Sequence, residues 1–125
     1  MPITVSLDTY AHVIRFVLTG TLSLNEMIAA TDTMLREVGS DGACDVLSDH
    51  RGLDTPATVQ QLEGLVEHWR RRATALHGKK FAVVTASAAS FGMMRMLSVL
   101  AQRIPMEVAV SQDIAEAEQR LSGHS

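Results

Sequence analysis

Apolar and polar positions alternate at the start of the chain. Ile3, Val5 and Leu7 are separated by Thr4 and Ser6, the period-two pattern of a half-exposed strand. Asp8-Thr9-Tyr10-Ala11 fits a hairpin connection, and His12 to Leu18 reads as a second strand. Ile14, Phe16 and Leu18 share one of its faces, while Val13, Arg15 and Val17 share the other. The period then lengthens. Ser23-Leu24-Asn25-Glu26 matches a capping box with Leu22 and Met27 in the flanking staple positions. Leu24, Met27, Ile28, Thr31, Leu35 and Val38 trace a helical face that stops at Gly39.

A third strand is expected from Ala43 to Asp49 through Cys44, Val46 and Leu47, followed by a loop from His50 to Asp54. Thr55-Pro56 reads as an N-cap followed by a proline at the first helical position. Val59, Leu62, Val66, Trp69, Ala73 and Leu76 then hold helical spacing until His77-Gly78. The stretch Lys80 to Leu100 is the unit against which the other elements are laid. Its run Phe81-Ala82-Val83-Val84 fits a strand buried on both faces, and Thr85 to Ser90 forms a small-residue loop. A helix follows through Phe91, Met94, Leu97, Ala101 and Ile104. Pro105 breaks it, Met106 to Val110 makes a fifth strand, and Asp113 to Leu121 a last helix through Ile114, Ala117 and Leu121.

The order is ββαβαβαβα. Strands that alternate with helices imply parallel crossovers, and the first hairpin adds one antiparallel strand. The expected fold is α/β, a mixed five-stranded sheet with four helices in a single domain over residues 1–125. The face bearing Thr4, Ser6, Arg15, Val13 and Val17 is too mixed to be fully buried, which leaves room there for a partner.

Composition narrows the function classes. With 46% hydrophobic residues among 125, the chain can build a core without staples. A net charge of -3 supplies no basic field for nucleic acid or anionic lipid, and 4% aromatics offer little surface for stacking bases. One cysteine, Cys44, and no apolar run of membrane-spanning length or secretory pattern at MPITVSLD point to a cytoplasmic protein.

VLSDHRGLDT after the first helix and AASFGMMRM at the head of the third resemble the STAS family, and in particular its small SpoIIAA-like branch of stand-alone bacterial proteins. The pieces that carry the likeness are Asp49-x-Arg51-Gly52, Phe91-Gly92, and Val110 before the terminal helix. The resemblance implies a non-enzymatic domain that regulates by protein contact, as a homodimer. A looser likeness to Sec14-type lipid-binding domains implies the alternative of a carrier or sensor for a lipid or other apolar small molecule. In anti-sigma-factor antagonists of the family a serine at a helix N-terminus is phosphorylated. Asp54-Thr55-Pro56 is the nearest counterpart, which makes Thr55 the implied phosphorylation position. The glycine of that turn is absent, Pro56 removes one amide, and Thr55 reads more simply as a plain helix cap.

Ser48-Asp49-His50 sets three catalytic residue types in a row, but neighbours in a strand point to opposite faces and form no triad among themselves. Ligands of open α/β sheets collect at the C-terminal ends of strands, where Asp49, Thr85, Ser87, Ser90 and Ser111 fall. A ligand pocket framed by Asp49, Arg51, Ser87 and Phe91 and lined by Met94 is the site expectation. The plainer reading pairs Asp49 with Arg51 and makes Ser87 or Ser90 a helix cap. Met93, Met94 and Met96 beside Phe91 suit a pliable apolar pocket, or equally a core. A hydrolase built on Asp49, His50 and a loop serine is a third reading. The five histidines show no ligand spacing, so neither a metal nor another cofactor is expected. Arg70-Arg71-Arg72 spreads around its helix and reads as a solvated end.

Overall fold

The computed structural model describes residues 3–8, 13–38 and 45–122. Cys44, His12 and His124 lie outside them. Strand β1 (Ile3–Asp8) pairs antiparallel with β2 (Val13–Gly20), with Ile3 opposite Leu18 and Val5 opposite Phe16. Strands β3 (Asp45–Leu53), β4 (Lys80–Val84) and β5 (Glu107–Ser111) then add in parallel, giving the order β1-β2-β3-β4-β5. The helices are α1 (Leu24–Val38), α2 (Val59–Arg71), α3 (Ala73–Leu76), α4 (Ala88–Leu100) and α5 (Ile114–Ser122). None of the helices among the described residues is long and apolar enough to cross a membrane.

A parallel sheet that grows in one direction through right-handed crossovers carries its crossover helices on one face. The core has that form. Met34 of α1, Leu62 and Trp69 of α2, and Met94 and Leu97 of α4 gather on Ile14, Phe16, Val46, Phe81 and Val83. The terminal α5 takes the other face, where Ala117 and Leu121 pack on Val13, Leu47, Ala82 and Val84. Strand β4 is therefore buried on both sides, as its unbroken apolar run requires.

The Ser23–Glu26 capping box forms, with Ser23 N–H donating to Glu26 Oε1 at 2.9 Å and Glu26 N–H to Ser23 Oγ at 3.1 Å. Several elements depart from expectation. Met34, off the predicted face of α1, is among its most buried residues. Thr55 does not cap α2. Thr58 does, accepting from Gln61 N–H at 3.1 Å while Gln61 Oε1 accepts from Thr58 N–H at 2.9 Å. A reciprocal Thr-x-x-Gln box satisfies two free amides, whereas Thr55 followed by proline satisfies fewer, so the helix starts three residues later. The helix expected to reach Leu76 unbroken turns at Arg72, which is why five helices appear rather than four.

Strand β3 also runs past Asp49 to Leu53. Its pairing with β2 steps from Val17–Asp49 to Thr19–Gly52, so β3 carries one extra residue there, a bulge. Gly52 lies flat against β2: a Cβ on it would sit 2.9 Å from Thr19 Cγ2 and 3.1 Å from the Leu18 carbonyl oxygen. Gly52→Ala is expected to lower stability by about 1–3 kcal/mol in urea unfolding, the range for overpacking against backbone. An unchanged midpoint would mean that β2 gives way.

At the end of β4, Thr85 is completely buried, and its Oγ1 has no hydrogen-bond partner among the described residues. An unpaired buried hydroxyl costs about 1–3 kcal/mol in proteins. Thr85→Val keeps the shape and removes the hydroxyl, so the variant is expected to unfold at a higher urea midpoint than the parent.

Candidate functional site

Alternation along β3 sorts its side chains into two chemistries. Leu47 faces α5, and Asp49 follows it on that side. Asp49 closes on Arg51: Nε donates to Oδ1 at 2.9 Å, Nη2 to Oδ2 at 2.8 Å, and the Arg51 amide to Oδ1 at 3.0 Å. These bonds from Arg51 hold the Asp49 carboxyl below its usual range, against the opposing effect of partial burial.

Val46, Ser48 and His50 face the helices instead. There the packing of α1, α2 and α4 against the sheet leaves a cavity of about 100 Å³. Most of its wall is apolar, with Phe16, Leu62 and Trp69 beside three methionines, Met27 and Met34 from α1 and Met94 from α4. The bulge turns Leu53 toward this chamber although its numbering parity would point it away. The exposed Thr55 and Pro56 belong to its rim, and a shallow apolar groove between the starts of α2 and α4 continues outward from Pro56 and Ala57.

The polar groups on the wall differ in how far they are already bonded. Thr31 Oγ1 accepts from Trp69 Nε1–H at 3.0 Å and donates to the Met27 carbonyl at 3.2 Å. Gln61 is held by its cap and by donating to the Leu22 carbonyl at 3.0 Å. Ser48 Oγ and His50 Nε2 lie 2.7 Å apart and share one hydrogen bond. Burial pushes the His50 imidazole down to about 4, against the pull of the Asp49 charge. The ring is thus neutral at pH 7.

Serine bonded to histidine is the beginning of a nucleophile–base arrangement. Asp49 cannot complete it, because it points through the opposite face of the sheet and is spent on Arg51. An imidazole held near 4 is also a poor base at neutral pH. The chemistry this arrangement offers is hydrogen bonding inside an apolar hollow.

Of the expected site residues, Met94 borders the chamber. Asp49, Arg51, Ser87 and Phe91 do not join it. Asp49 and Arg51 pair on the far face, and Ser87 caps α4 by accepting from Ser90 N–H at 3.1 Å. Phe91 is half-buried beneath Arg95, whose guanidinium carbon is 5.9 Å from the ring centre. Ser111 is bonded to Asp113, while Ser90 does line the cavity. Thr55 is exposed at the rim, three residues before the α2 cap, so the helix-N-terminus argument for a phosphate there loses its basis. Sequence reading missed Ser48 with His50. The available signal was their separation of two, which puts them on one face once the strand extends through residue 50.

The pKa of His50 falls from 6.5 unfolded to about 4 folded, so between those values the unfolded chain binds the extra proton. Stability is therefore complete above pH 6.5 and falls as the pH drops toward 4, by up to about 3 kcal/mol from this group. Asp32 and Asp49, whose carboxyls are lowered from 3.8, lose their contributions at more acidic pH. Urea unfolding of the parent and of His50→Gln at pH 7 and 4.5 is expected to show the larger loss in the parent. Parallel losses would mean that the folded-state imidazole titrates as an ordinary exposed one.

No protein-family model matches this sequence, and no curated protein matches it. Among solved structures, it is similar to an uncharacterised protein of the DUF3478 family with a SpoIIAA-like fold, from Shewanella loihica PV-4. The likeness has a TM-score of 0.66 at 14% identity and covers 95% of this chain and 91% of that one. The chain has a SpoIIAA-like fold, as the sequence resemblance implies.

Proposed function

We propose that this domain holds a small apolar molecule in the chamber between the sheet and α1, α2 and α4, as a carrier or sensor rather than an enzyme. The observation that supports it is the hollow of about 100 Å³ in an otherwise continuous core, bordered by three methionines. Well-packed cores leave few voids larger than water, and dry cavities of comparable size take up single-ring hydrocarbons. Met27, Met34 and Met94 have the flexible, polarisable side chains that let a wall reshape around an occupant. The apolar groove leading from the rim offers a way in.

The second reading is a regulatory, protein-contacting homodimer. Part of the face left open for a partner is covered, since Val13 is buried beneath α5 together with Ala82 and Val84. What supports it is the part of the sheet that α5 does not reach, where Val17 is 41% exposed between exposed Thr4 and Thr19.

A ligand that binds only the folded state raises stability with concentration. Titration with toluene is expected to raise the melting temperature by several degrees, and native mass spectrometry of gently purified protein to find a small-molecule mass lost on denaturation. A flat melting temperature together with a bare dimer would set the carrier reading aside in favour of the homodimer.

A further inference from the structure

The chamber wall is not uniformly oily, and its polar groups include one adjacent pair. Ser48 and His50 stand side by side on β3, joined by a hydrogen bond of 2.7 Å, with both side chains on the cavity. A hydroxyl has one donor and two acceptor sites, and a neutral imidazole one of each. Their mutual bond uses one donor and one acceptor, and neither side chain makes another hydrogen bond among the described residues. If Ser48 donates to Nε2, its oxygen still accepts. If Nε2–H donates, the serine O–H is free to donate. In both arrangements one donor and two acceptors remain, so the pair keeps capacity for at least one more polar neighbour.

Among the described residues, none that lines the cavity is Asp, Glu, Lys or Arg. An ionised ligand would therefore give up its hydration without meeting a counter-charge, at a cost well above that of a neutral polar group. Of the other polar groups on the wall, Thr31 and Gln61 are already bonded to Trp69, Met27, Thr58 and Leu22, while Ser90 stands alone on α4 and Thr55 at the exposed rim.

Building on the proposed ligand chamber, we infer that Ser48 and His50 recognise a single uncharged hydroxyl on an otherwise apolar molecule of about one ring in size. The ligand class is a small neutral alcohol or phenol. A hydroxyl both donates and accepts, so it satisfies the pair in either arrangement of its protons. The apolar remainder rests against Phe16, Leu62, Trp69 and the methionines. The depressed imidazole pKa supports this from a second direction, because a ring kept neutral offers a carboxylate no ion pair.

Toluene and phenol have nearly the same shape and differ at one group, and benzoate adds a charge. Their affinities for the full chain are measured by calorimetry at pH 7.5. The wild type is expected to bind phenol at least as tightly as toluene, although phenol is the better hydrated in water, and to bind benzoate immeasurably weakly. Ser48→Ala is expected to weaken phenol about tenfold, the size of one lost hydrogen bond, and to leave toluene within about twofold. His50→Phe is expected to do the same. Phenol binding much more weakly than toluene, phenol unaffected by Ser48→Ala, or benzoate binding tightest would each overturn the recognition of a hydroxyl while leaving the chamber in place. Failure of all three probes would overturn the chamber itself. A variant that loses toluene and phenol together has lost its packing, and the ranking in the wild type then decides.

Discussion

Each parallel strand of the sheet is added on the same side of the last, from β2 through β5, and every crossover returns over the same face. Three helices must therefore share one surface, while α5 has the other to itself. Much of the rest follows from that crowding. The side chains on the shared face are large, and α1 and α2 are tied to each other directly. Trp69 donates to Thr31, and His68 and Arg72 converge on Asp32, whose carboxyl is lowered chiefly by the bond from His68. At Gly64 the two helices come so close that a Cβ would meet Leu24 at 2.6 Å. The basic run that begins at Arg70 is absorbed in the same region, two arginines by Glu67 and one by Asp32. Helices locked in this way cannot shift to fill every gap beneath them, and the chamber is the gap that remains.

Strand β3 divides two kinds of polar chemistry that are adjacent in sequence. Toward α5, Asp49 and Arg51 form a charged pair with access to solvent, where a carboxylate is cheap to keep. Toward the chamber, Ser48 and His50 are neutral and share one hydrogen bond, an uncharged arrangement that low-dielectric surroundings favour. One backbone achieves both through the two-residue alternation. The bulge then shifts that alternation, sending Leu53 into the chamber and leaving Gly52 flat against β2.

Most of the architecture is legible in the sequence, because its strands and helices carry clean periods. The alternation in β2, the continuous run in β4 and the helical spacing of Leu62, Val66 and Trp69 all correspond to buried faces. What was not legible depended on contacts distant in sequence. Nothing local shows that β3 passes through the polar residues Asp49 to Gly52, since it is the pairing with β2 and the bulge that extend it. Two competing caps three residues apart, Thr55 and Thr58, look alike until the reciprocal bonds with Gln61 are counted. Met34 is buried because α1 is wedged against α2, a neighbour that its own periodicity does not reveal. The candidate site is the least legible part: Asp49 reads as the end of a strand and His50 and Arg51 as the loop after it, whereas the strand runs through all three and turns His50 to the face opposite Asp49 and Arg51.

That separation also bears on the function proposed for the pair on the chamber wall. A serine hydrolase needs a base near neutrality and an acid to orient it, and here the nearest carboxylate lies on the other side of the sheet. A binding site needs less. It requires an apolar volume, walls that adjust, and a polar group with capacity to spare at a fixed place. The methionines supply adjustment from two helices, α1 and α4, so the volume can grow without moving the sheet. The strand supplies the fixed place, because Ser48 is paired with both β2 and β4 and His50 lies two residues on in the same strand. A rigid polar anchor opposite a soft apolar wall discriminates ligands by their one polar group and tolerates variation in the rest.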